Sequence, residues 1–71
     1  MKKGLELTPR TTKEASVIKK ALEAIYYVTW NASDGSFFLP EDEENYDELE
    51  KEIDNILSSL NVNYRIEGIF Y

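Results

Sequence analysis

The sequence contains neither cysteine nor histidine. The first absence excludes disulfides, zinc-thiolate sites and a thiol nucleophile. The second removes the commonest general base near neutral pH and the commonest transition-metal ligand. Glycine is scarce as well: Gly4, Gly35 and Gly68 lie far apart, so no glycine-rich loop is available to cradle phosphate. No apolar run approaches the roughly 18 residues of a membrane span, and the stretch from Met1 to Glu6 lacks the long apolar core of a signal peptide. The expected location is therefore cytoplasmic, with no membrane contact. Asn31-Ala32-Ser33 matches the glycosylation sequon and, without a secretory signal, is read as chance. The acid-rich run Glu41 to Glu52 lacks the alternating acidic positions and central glycine of a calcium loop. Carboxylates crowded on a solvent face also lack the burial that separates a catalytic acid from a base. The expectation is a protein without catalytic activity, metal or cofactor.

What remains is the composition of a small folded domain. A chain of 71 residues with 42% hydrophobic and 13% aromatic side chains is more apolar than disordered acidic chains. A single domain of this size buries only about 60% of the surface its unfolded chain exposes, which leaves little room for a deep, water-excluding site. The net charge of −6 is unevenly shared. Residues 1–33 carry six basic and three acidic side chains, residues 34–71 two basic and eleven acidic. Such a chain is repelled by nucleic acid and anionic lipid and attracted to basic proteins.

Local patterns place the elements. Leu5 and Leu7 alternate with Gly4, Glu6 and Thr8 as a short strand stopped by Pro9. Thr11 and Glu14 form a capping box at the start of a helix through Ala24, with Ile18, Leu22 and Ile25 on one face and Val17 and Ala21 beside them. Ile25-Tyr26-Tyr27-Val28-Thr29-Trp30 is β-branched and aromatic throughout; turn-forming residues follow, then Phe37-Phe38-Leu39, which predicts a hairpin with strands near 25–31 and 36–39. The competing reading extends the first helix to Trp30. After Pro40, a second capping box at Asn45 and Glu48 opens a helix whose apolar stripe is Tyr46, Leu49, Ile53, Ile56, Leu57 and Leu60. Asn61 is a left-handed stop. The last ten residues alternate as a long strand to Tyr71, with Val62, Tyr64, Ile66 and Phe70 on one face and Gly68 marking a bulge or close approach. The order is βαββαβ: an α+β domain with two helices on one face of a four-stranded antiparallel sheet, ferredoxin-like in topology. If the first helix absorbs the second strand, the order becomes βαβαβ with three strands.

One stretch carries a functional hint. Nine of the fourteen acidic residues lie between positions 41 and 54: Glu41, Asp42, Glu43, Glu44, Asp47, Glu48, Glu50, Glu52 and Asp54, with Lys51 as the only cation among them. The first four are explained by the helix dipole, which favours carboxylates at a helix start. Asp47, Glu50 and Asp54 continue a row from Glu43 at spacings of four, three and four, about 5 to 6 Å apart along the axis and near the phosphate spacing of a nucleic-acid strand. Like charges so placed cost a few tenths of a kcal/mol per pair. A cost without folding benefit suggests a partner: a basic, DNA-binding protein engaged by these nine carboxylates as a DNA mimic, with no direct nucleic-acid contact. In being small, acidic and free of cysteine and histidine, the chain is similar in size and composition to inhibitors that phages and mobile elements make against host enzymes. The alternative is a homodimeric structural or regulatory module. It would associate through exposed aromatics around Tyr26, Tyr27, Trp30 and Phe38 and through Ile69 and Tyr71 of the last strand, the acids serving solubility alone. A base-stacking platform of Tyr27, Phe38 and Tyr71 lacks the basic flank that RNA requires.

Overall fold

In the computed structural model, which describes residues 2–70, the elements run β1 (Lys3–Pro9), α1 (Thr12–Glu23), β2 (Thr29–Asn31), β3 (Ser36–Pro40), a 3-10 turn (Glu43–Asn45), α2 (Tyr46–Ser58) and β4 (Tyr64–Phe70). The sheet order is β2-β3-β1-β4 with every neighbour antiparallel. β1 and β2 therefore run parallel with β3 between them, and β3 and β4 run parallel with β1 between them. This is the split βαβ arrangement expected from the element order, and the three-stranded alternative does not form.

Strand parity settles which side of the sheet is covered. Leu5 and Leu7 stand opposite Leu39 and Phe37 on β3 and opposite Gly68 and Ile66 on β4. These side chains meet Ile18 and Leu22 of α1 and Leu49, Ile53 and Leu57 of α2 in one core. The periodicity of both helices thus reads out directly as burial. Ile25 and Val17 do not follow: Ile25 lies past the end of α1 and is 59% exposed, and Val17 sits at the edge of its buried face. Leu60 likewise falls beyond α2 and is exposed.

The hairpin forms with a shorter first strand than expected. β2 spans only Thr29–Asn31, and residues 25–28 are turn and irregular chain. After Ala24 caps α1, the N–H groups of Ile25 and Tyr26 both donate to the Leu22 carbonyl, prolonging the turn. The chain then has to descend from the helical layer to the sheet, so the β-formers at 25–28 serve that descent. Trp30 faces the helical side, its ring 4.7 Å from that of Phe37. The Asn31 side chain accepts from the N–H and hydroxyl of Ser33 and donates to Asp34, which closes the hairpin loop with Gly35 at φ 65°.

Neither capping box forms in full. The Thr11 hydroxyl accepts from the Glu14 N–H, but the Glu14 carboxylate, instead of returning to the cap backbone, accepts from the Thr11 hydroxyl and the Asn63 N–H. The start of α1 is thereby tied to the start of β4. At α2, Asn45 makes no side-chain cap bond, because the preceding 3-10 turn already pairs its N–H with the Asp42 carbonyl and its amide reaches back to Glu41. Asn61 does adopt the left-handed conformation, at φ 54°. The register of β1 with β4 is unbroken through Gly68, so that glycine marks a close approach and not a bulge. The ring of Tyr46 lies over it, where an added Cβ would sit 2.8 Å from Tyr46 Cδ2, and the Tyr46 hydroxyl donates to the Ile69 carbonyl at 2.6 Å. Tyr71 lies outside the described residues.

Candidate functional site: the acidic flanks of the second helix

Leu49, Ile53 and Leu57 fix the rotation of α2 against the sheet. With about 100° between successive residues, Asp47, Glu50 and Asp54 then fall on one flank of the buried stripe and Glu48 and Glu52 on the other. Contacts agree with that division. Asp54 accepts a 2.6 Å hydrogen bond from the Tyr64 hydroxyl on β4, while Glu52 and Leu49 share a cleft with Tyr26 and Tyr27 behind α1. Glu43 and Glu44 stand on the 3-10 turn, so the row from Glu43 begins one turn before the α-helix proper. Asp42 precedes it and pairs with Lys3 of β1 at 3.1 Å. Glu41 accepts from the Asp42 N–H and the Asn45 amide. The nine carboxylates thus lie along both sides of one helix and its lead-in.

Glu43, Glu44, Asp47, Glu48, Glu52 and Asp54 are exposed, and Glu50 is half-buried. Among the described residues, Asp42 is the only one of the nine in an ion pair, and Lys51 forms none. The bond to Asp42 raises the Lys3 ammonium above its ordinary pKa, with the charges of Asp42 and Glu43 adding to it. Lys3 is exposed, so this pair contributes little to stability.

Tyr64 reports the field of the other flank. Desolvation first, then the bond to Asp54 and the charges of Asp54 and Glu50, push its phenol up to about 12. A raised pKa means that the neutral phenol favours the folded state. This contribution is complete below the unfolded value near 10 and is lost as pH rises towards about 12. In an ultraviolet titration an ionisation step near pH 12 should therefore be absent from Tyr64→Phe, which should also cost about 1 kcal/mol or less at neutral pH. Persistence of that step in the variant would show that the late phenol is not Tyr64, and its persistence at the same pH in Asp54→Asn would show that the charge of Asp54 does not contribute.

The aromatics proposed for a self-association face are not brought together. Phe38 and Ile69 stand on the uncovered side of the sheet, Phe38 half-buried across Gly4 with the Lys2 ammonium 4.7 Å from its ring centre. Trp30 is on the opposite side, and Tyr26 and Tyr27 lie in the descent after α1. Tyr46 and Tyr64 are expected from the sequence to add apolar contact at the edge of the acidic surface, and their hydroxyls bond Ile69 and Asp54; Lys3, which pairs with Asp42, carries no sequence signal beyond the parity of its strand. Among the described residues, no three carboxylates converge closely enough to hold a metal ion. Nor does any helix there have the length and apolarity to cross a membrane. No family model, curated protein or solved structure matches the chain.

Proposed function

We propose that the protein is a non-enzymatic binding module that docks the acidic side of α2 on the basic, nucleic-acid-binding surface of a partner protein, in the manner of a DNA-mimicking inhibitor. The observation that carries this reading is the row Asp47, Glu50 and Asp54 along one flank of α2, with Glu43 on the 3-10 turn that leads into it, none of the four in an ion pair among the described residues. Beyond the first turn, Asp54 is compensated within the fold by the bond from Tyr64, whereas Glu50 makes no hydrogen bond or ion pair among the described residues. Mutual repulsion costs about 0.2 to 0.5 kcal/mol per neighbouring pair, against a dipole benefit of about 0.3 to 1 kcal/mol confined to the first turn.

Replacing the four together (Glu43→Gln, Asp47→Asn, Glu50→Gln, Asp54→Asn) should leave thermal stability within about 1 kcal/mol, because the two effects oppose each other and the amide oxygen introduced by Asp54→Asn would still accept from Tyr64. Binding should not survive the change. Immobilised wild type is expected to retain basic DNA-binding proteins from a bacterial lysate, to release them as salt rises, and to release them to added duplex DNA at constant salt. The variant should retain none of them. Equal retention by both proteins, or release by salt but not by DNA, would overturn the mimic reading. Self-association remains the competing reading, with Phe38 and Ile69 as an apolar patch on the uncovered side of the sheet; a mass that rises with concentration in both proteins would favour it.

A further inference from the structure

The flank of α2 opposite that row borders a cleft of about 320 Å³ lined by Tyr26, Tyr27, Leu39, Glu41, Leu49 and Glu52 among others. It adjoins a second hollow of about 230 Å³, which shares Glu41, Leu49 and Glu52 and adds Glu48. The first volume is at the low end for small-molecule sites, about 300 to 1,000 Å³, and is roomy for one long side chain. Neither hollow is lined by a lysine or arginine.

We propose that this cleft accepts an arginine side chain presented by the protein partner. Its apolar floor, Leu39 and Leu49, suits an aliphatic stem, and two tyrosines at its side offer rings for a guanidinium to stack on. Its carboxylates are spread and do not converge on a point, which disfavours a metal ion and a compact ammonium and favours a planar fork that donates in several directions. Tyr27 is 79% exposed, a large aromatic surface that the core does not use. Glu52 lines the same cleft as Tyr26, and burial first and then the charge of Glu52 raise the pKa of the Tyr26 phenol. The assignment rests on reading α2 as a docking helix and specifies the chemistry of what it docks against.

The test is an amide chemical-shift titration of the full chain with N-acetyl-Gly-Arg-Gly-amide, with citrulline and lysine counterparts as probes. Saturable shifts confined to residues around Tyr26, Tyr27, Leu49 and Glu52 are expected for arginine, with a dissociation constant on the order of 1 mM, weaker for lysine and absent for uncharged citrulline. Glu52→Gln should weaken the arginine peptide about tenfold and Tyr27→Ala, an exposed change that spares the fold, about threefold. Citrulline binding as tightly as arginine, shifts spread equally along Asp47 and Asp54, or unaltered affinity in both variants would each overturn the assignment. The four-carboxylate variant leaves the cleft intact and should bind the peptide like wild type. Loss of lysate capture with peptide binding kept therefore implicates the row alone, and capture without peptide binding removes only the arginine assignment.

Discussion

Leu7→Ala is expected to lower stability by about 3 to 4 kcal/mol, near the middle of the range for truncating a buried leucine. Leu7 is fully buried at the centre of the sheet, opposite Phe37 on one side and Ile66 on the other, and faces the core between both helices. Loss of three carbon atoms there leaves a void that strands held on two sides cannot close. A 71-residue chain has a total stability of about 4 to 11 kcal/mol. The substitution therefore removes about a quarter or more of it and should lower the midpoint of thermal unfolding by roughly 15 to 25 °C. Val17→Ala, at the exposed edge of α1, should shift the midpoint by no more than a few degrees. Circular dichroism melts of the two variants beside wild type decide the matter, and equal small shifts would show that the core is not centred on β1.

Gly4→Val is expected to destabilise by the opposite route, overpacking, and by less. A Cβ at Gly4 would collide with the backbone carbonyl oxygen of Leu39 on the paired strand and lie 2.8 and 2.9 Å from Cζ and Cε1 of Phe38. A phenyl ring can turn away, but a carbonyl in a sheet ladder cannot, so β1 and β3 must separate locally. Overpacking of this kind costs about 1 to 3 kcal/mol, and more where backbone is displaced. Valine's higher strand propensity, up to about 1 kcal/mol, and the reduced entropy of its unfolded chain, about 0.4 to 1 kcal/mol, pull the other way. The collision wins because it acts between the two interior strands, and a fall in the unfolding midpoint of roughly 10 °C or more is expected. Gly68→Ala meets only the ring of Tyr46, which can swing aside at the loss of its bond to Ile69, and should be milder. If Gly4→Val melts like wild type, the close approach of β1 and β3 is not as tight as the structure has it.

The parts of this fold legible in the sequence are those set by periodicity. The stripe from Tyr46 to Leu57, the pair Ile18 and Leu22, and the alternation of Leu5 with Leu7 and of Tyr64 with Ile66 each name their buried face, and the order of elements then restricts the sheet to few topologies. What was not legible depends on where the chain has to travel or on residues far apart in sequence. The β-forming run at 25–28 is spent on the descent from α1, so composition overstated β2. Asn45 and Glu48 have capping-box chemistry, but a 3-10 turn took the place of the cap. The acidic row was visible as a spacing, whereas the holds on Asp42 by Lys3 and on Asp54 by Tyr64 arise only once β1 and β4 lie beside α2. The cleft of Tyr26 and Glu52 joins residues separated by the whole hairpin and had no local signature.

The pairing of Lys3 with Phe70 at one end of the β1–β4 ladder and of Pro9 with Tyr64 at the other bears on how the chain reaches this state. β1 is one of the two interior strands, yet both of its neighbours, β3 and β4, come later in the chain, and the more extensive ladder is with the last of them. The two helices and the β2–β3 hairpin can form from nearby residues, but β1 stays unpaired on one side until β4 has been made and brought back. Closing loops of that length before any contact rewards them slows folding relative to helical proteins of equal size. During that interval the unpaired side of β1, with the apolar face of Leu5 and Leu7 beside it, is a surface through which two unfinished chains would pair with each other, in addition to the edges that β2 and β4 keep in the finished sheet.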